Sequence, residues 1–172
     1  STVLTTDGSG GLRFIRTDWE ELFATSTVNA TSTLRIDNLS VRTDYRLIVE
    51  TQTNAAQAVD LKLNQDNSNY GHYSVEDCGA TNTGGNQNLL RLNSGTSSPL
   101  YVEVNISNQL AQRKKFSWTG HTGGTGSEPG CPIRGGGVWN NTTTTINSIW
   151  LSNGPGGSLG AGTRVKIYGS KD

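Results

Sequence analysis

The chain reads as an all-β protein, an antiparallel jelly-roll-like β-sandwich with one short N-terminal helix, and three observations predict it. Apolar residues alternate with polar ones at period two in one segment after another, as strands with one face in a core and one in water require. Glycine stands at 22 copies and apolar residues make up only 32 % of the chain, a mix that suits short strands joined by many turns. In the stretch from Thr142 to Gly169, two alternating runs, residues 146–151 and 165–167, flank a loop carrying Gly154, Pro155, Gly156, Gly157, Gly160 and Gly162. That arrangement predicts a hairpin or paired-strand return that closes the fold.

Length allows one domain of 172 residues, large enough to bury a real core. Residues 1–11 are polar and end in Gly8, Ser9, Gly10 and Gly11, so they read as a flexible N-terminal arm ahead of a single domain over 12–172. Leu12, Phe14 and Ile15 form a short apolar run. Thr17-Asp18-Trp19-Glu20 then has the spacing of a capping box, with Trp19, Leu22 and Phe23 at i, i+3 and i+4. This predicts one or two helical turns, placed as a lid over one end of the sandwich.

From Ser32 onward the period is two. Leu34 and Ile36, then Tyr45, Leu47 and Val49, then Val59, Leu61 and Leu63 alternate with polar neighbours, and Tyr70 to Val75 supplies a further short strand. Glu76 to Gln87 has no periodic apolar residues and reads as a long loop. Alternation returns in Leu89 to Leu92, in Leu100, Val102, Val104 and Ile106, and through Lys114, Phe116 and Trp118. Thr119 to Gly137, with eight glycines and two prolines, reads as the most irregular segment. The total is about eight to ten short strands, the pattern of a two-sheet sandwich.

Charge and hydropathy narrow the partners. Fourteen basic side chains balance fourteen acidic ones, so no overall field draws the chain to nucleic acid. No run approaches the roughly 20 apolar residues that cross a bilayer, and no membrane partner is expected. Cys78 and Cys131 both sit among turn residues. Two readings stand: a disulfide closing a loop of about fifty residues, or two separate thiols. Without a nearby His pair these cysteines cannot complete a four-ligand zinc site, and no metal or cofactor is expected.

A catalytic role finds little support. His72 lies between Gly71 and Tyr73 in a strand-like run, and its spacing to Glu76 would share a face only in a helix. His121 lies on the irregular segment, but no nucleophile motif accompanies it. The acidic residues permit carboxylate pairs without specifying one. The chain therefore reads as non-enzymatic, with no catalytic residue assigned. Trp118, His121 and Trp139 bracket the irregular segment, and such rings could stack on sugar. The competing reading places the two tryptophans in the core, and for so large an apolar side chain it is the preferred one.

Ile146-Asn147-Ser148-Ile149, followed by a Gly-rich turn and Gly160-Ala161-Gly162-Thr163-Arg164-Val165-Lys166-Ile167-Tyr168-Gly169, resembles the terminal hairpin of jelly-roll modules in tailed-bacteriophage virion proteins. Such modules occur in capsid decoration or cement proteins and in fibre-tip receptor-binding domains. The resemblance implies a structural virion protein on the capsid exterior, assembled in the host cytoplasm. Its implied partners are the major capsid protein and its own copies in a homotrimer. The alternative that it implies is a receptor-binding tip module of a tail fibre, recognising host surface glycan.

Overall fold

The computed structural model describes residues 2–6, 12–16, 19–26, 29, 31–51, 58–76, 81–93, 100–123, 130–154 and 157–170. Among them the chain forms fourteen strands and no helix. Thr2–Thr6 (β1) and Leu12–Arg16 (β2) pair antiparallel with each other as a two-stranded sheet. Five residues of the stretch read as an arm are thus in strand, and residues 7–11 lie outside the described ones.

The remaining strands, in chain order, are Trp19–Ser26 (β3), Thr33–Ile36 (β4), Asp44–Thr51 (β5), Val59–Leu63 (β6), Tyr70–Glu76 (β7), Thr81–Gln87 (β8), Leu90–Arg91 (β9), Leu100–Ser107 (β10), Lys114–Thr122 (β11), Pro132–Trp139 (β12), Ile149–Asn153 (β13) and Arg164–Ser170 (β14). They build an eight-stranded antiparallel sheet in the order β3-β14-β5-β10-β11-β12-β7-β8 and a four-stranded one in the order β4-β13-β6-β9. The alternating residues of both sheets form one buried cluster between them, a β-sandwich core with Leu47, Val104 and Ile167 from the large sheet and Leu61, Ile149 and Leu151 from the small one.

Several segments differ from the sequence expectation, each for a physical reason. The helix expected around Trp19 is the strand β3, and its start at Thr17 and Asp18 lies outside the described residues. Along the β3–β14 pair the register shifts between Ile167 and Tyr168, which face Phe23 and Glu21, so Leu22 is the extra residue of a β-bulge. The bulge lets Leu22 and Phe23 both pack on the core while Trp19 stays on the opposite, solvent-facing side. Two adjacent inward residues imitate the i+3, i+4 step of a helix.

The expected terminal hairpin is also not one. β13 lies between β4 and β6 in the small sheet, whereas β14 lies between β3 and β5 in the large one. The glycine-rich segment is therefore a crossover from one sheet to the other. Within the expected loop 76–87, Thr81–Gln87 pairs with β7 as an edge strand that needs no apolar face of its own.

The two flanks of the irregular segment 119–137 are likewise the ends of β11 and β12, paired from Lys114↔Trp139 to His121↔Pro132. Gly120, Gly135, Gly136 and Gly137 are strand residues there, and residues 124–129 lie outside the described ones. Gly135 lies opposite Trp118, and a Cβ there would meet the indole carbons at 2.3 Å.

Two variants separate a required glycine from a tolerated one. Gly135→Ala should lower the unfolding free energy by about 1–3 kcal/mol in a urea titration, because the Trp118 ring has nowhere to move. Gly136→Ala, whose Cβ would come no nearer than 3.4 Å to the Phe116 carbonyl oxygen, should stay within about 0.5 kcal/mol of the parent.

Candidate functional site

The tryptophans named from sequence are core residues. Trp118 is 1 % exposed and Trp139 0 %. The Trp118 indole N–H donates to the Leu92 carbonyl at 3.0 Å, and that of Trp139 donates to the Asp66 carboxylate at 2.8 Å. Trp139 also stacks on Tyr70 with ring centroids 6.0 Å apart. With both faces enclosed and both N–H groups used, neither ring can stack on a sugar. His121 is exposed on β11 between Tyr101 and Pro132. At three positions from Trp118 it points to the opposite face of the sheet, so the structure does not bring the three residues together.

Cys131 is disulfide-bonded. The chain's other cysteine, Cys78, lies outside the described residues. The β7–β12 ladder reaches Ile133↔Glu76, a pair two residues from each cysteine in sequence. Among the described residues no group of three His, Cys, Asp or Glu is placed to hold a metal ion.

What the fold offers is the open face of the large sheet, whose register sets side chains in rows across the strands. One row runs Arg164, Glu50, Tyr101, His121, Pro132; the next runs Lys166, Ile48, Glu103, Thr119, Arg134, Val75. A third carries Tyr168, Arg46, Asn105, Ser117, Gly136 and Tyr73, and a fourth Trp19, Ser170, Asp44, Ser107 and Lys115. Three aromatic rings stand out from this face, Tyr73 at 54 % exposure, Tyr101 at 44 % and Trp19 at 39 %.

Its carboxylates are mostly spent on cations. Arg46 holds Glu103 at 2.7 Å, and that hydrogen bond raises the guanidinium pKa above its ordinary value. Arg164 lies 3.7 Å from Glu50.

Among the described residues, clefts open on this face at two places. One, of about 290 Å³, is lined by Trp19, Asp44, Asn105, Ser107, Lys115 and Ser117. The other, of about 260 Å³, lies between β5 and β14 over Ile48, Glu50, Arg164, Lys166 and Tyr168. A third, more polar cleft of about 390 Å³ sits away from it, beside Arg35, Asp37, Asn38, Asn64, Gln65 and Asn147. There Asn64, in the left-handed region with φ 50°, accepts from the Asn147 and Ser148 amides and donates to the Thr145 carbonyl. Its amide is therefore structural.

On the small sheet, Arg35 lies 4.9 Å over the Trp150 ring and pairs with Asp37. Buried Asp60 meets Arg91 at 3.1 Å; burial raises its carboxyl pKa, with Arg91 pulling the other way.

His72 sits half-buried on the inner side of β7, across from Gly137, and its Nδ1 is buried without a partner. Burial lowers its pKa below the ordinary 6.5, and the positive charge of Arg91 adds to the effect. The unfolded chain then holds a proton that the fold does not, so stability should rise with pH through the window just below 6.5 and fall on acidification. Titrating unfolding free energy against pH should show that His72→Gln flattens this rise. A Cys131–Cys78 bond would close a loop of about fifty residues, so reduction by dithiothreitol should cost about 4 kcal/mol of stability in the same measurement.

Compared with known proteins, the chain matches no family model, no curated protein and no solved structure.

Proposed function

We propose that the chain is a structural protein of a tailed-phage virion, a jelly-roll module that decorates or cements the outside of the capsid as a homotrimer. The observation that carries this reading is the order of the strands. Counting β4, β5, β6, β7, β8, β9, β12 and β13 as first to eighth, the small sheet runs first, eighth, third, sixth. The large sheet contains second, seventh, fourth, fifth, with the β10–β11 hairpin inserted between second and seventh and β14 and β3 added outside the second. This is the interleaving of a double Greek-key jelly roll, an architecture used by viral capsid and lectin domains.

The inserted hairpin and the two added strands widen one sheet to eight strands and leave its outer face open. A broad face with exposed Tyr73 and Tyr101 set among Arg–Glu pairs suits repeated, non-covalent contact with neighbours on a shell, where many weak contacts act together. No reacting group is needed for such a role.

Purified shells stripped of this protein should rebind it and gain resistance to heat, and light scattering should give the mass of three chains. Replacing both Tyr73 and Tyr101 with Ser should weaken rebinding by about tenfold while the unfolding midpoint stays put. Shells that do not rebind the parent protein would overturn the cement reading. The alternative that the resemblance carries, a glycan-binding fibre tip, could not use Trp118 and Trp139, which are buried.

A further inference from the structure

Trp19 is the most exposed of the tryptophans whose exposure stands out, and it is exposed because of the β-bulge at Leu22. Its indole forms one wall of the cleft that Asp44, Asn105, Ser107, Lys115 and Ser117 line. Tyr45, Ile106 and Phe116, the neighbouring strand residues at this cleft, are buried and belong to the core, so the cleft rests on rigid sheet.

The five polar side chains are unspent. Among the described residues none of them has a hydrogen-bond or ion-pair partner, whereas the carboxylates of Glu50 and Glu103 on the same face do. Asp44, Ser107 and Lys115 are direct register neighbours across β5, β10 and β11, and Asn105 and Ser117 form the pair beside them. Two strand intervals separate the Asp44 and Lys115 backbones, about 10 Å. That span accepts one six-membered ring with its substituents.

The chemistry of the lining restricts the ligand. Asp44 only accepts hydrogen bonds, Lys115 only donates, and Asn105, Ser107 and Ser117 do both. A phosphate or carboxylate ligand would meet the Asp44 charge, and a cationic one the Lys115 charge. A neutral molecule whose adjacent groups each donate and accept, and which offers an apolar flank to the indole, satisfies all of them. From this geometry we infer that the Trp19 cleft is a carbohydrate subsite for a neutral pyranoside with vicinal hydroxyls. Its C–H face lies on the Trp19 indole, and its hydroxyls reach Asp44, Asn105 and the serines. This goes beyond the structural role and is independent of it.

The test is acrylamide quenching of tryptophan fluorescence in the full chain, titrated with methyl glucoside, galactoside and mannoside and with N-acetylglucosamine at millimolar concentrations. At least one of these sugars should shield the quenchable fluorescence saturably. Asn105→Ala should weaken that binding by about tenfold, and Trp19→Ala should abolish it, both with an unchanged unfolding midpoint. Isothermal calorimetry reads the Trp19→Ala variant without its fluorophore. Binding that survives Trp19→Ala, or no binding by any of the four sugars, would overturn the assignment. So would Trp19-dependent binding of a peptide or of inorganic phosphate in place of sugar. Shell rebinding by Trp19→Ala at parental strength is expected, so the two proposals stand or fall separately.

Discussion

Placing two indoles between the sheets imposes the strictest condition on this fold. Each ring carries an N–H that must find an acceptor once water is excluded, and each needs room that ordinary strand neighbours would fill. Trp118 meets both conditions through the Leu92 carbonyl and the missing side chain at Gly135. Trp139 meets them through Asp66 and the flat face of Tyr70, whose own hydroxyl is tied to the Leu63 backbone. The Trp139–Tyr70 pair thus holds β12, β7 and the turn after β6, while Trp118 ties β11 to β12 and to the residue after β9. Gly135 in β12 is the complement of the Trp118 ring rather than a source of looseness.

A second constraint acts at one end of the sandwich, where the strand-free segment from Asn140 to Ser148 must be held without a ladder. Three side chains replace it. The Tyr45 hydroxyl bonds the Ser40 and Ile146 carbonyls and accepts from the Arg42 amide. Asn108 bonds the Arg42 carbonyl and the Ile146 amide, and Asn64 gathers residues 145, 147 and 148. Nearby, buried Lys114 donates to the Gln109 and Gln112 carbonyls and so closes the β10–β11 turn, at the cost of a lowered ammonium pKa from burial. Polar residues that look like loop filler in sequence are specific braces here.

Much of this was legible where burial follows the pleat. In β5, β10 and β14 the inward residues are those that period-two alternation picks out, because a strand covered on one face has no other way to arrange its apolar groups. Local pattern failed where the cause lies on another strand. Nothing in Leu22-Phe23 announces a bulge, since the register shift belongs to the β3–β14 pair. The glycines at 135–137 look like a loop until β11 is known to pair with them, with Trp118 opposite Gly135. Alternation in residues 149–151 and 165–167 marks strands correctly but cannot say that they enter different sheets. The burial of the tryptophans follows the same logic. Trp118 and Trp139 sit in apolar-alternating runs, whereas Trp19 owes its exposure to an irregularity invisible in sequence.

The crossover from β13 to β14 has a consequence for how the molecule comes into being. β13 is an inner strand of one layer and β14 an inner strand of the other, and both come after residue 148. Earlier segments emerging from a ribosome find each layer split, with β4 separated from β6 and β3 from β5 by a gap one strand wide. The small layer cannot zip shut until synthesis has passed residue 153, nor the large one until it has passed residue 170. Until then β4 and β6 in one layer, and β3 and β5 in the other, expose edges that β13 and β14 later cover.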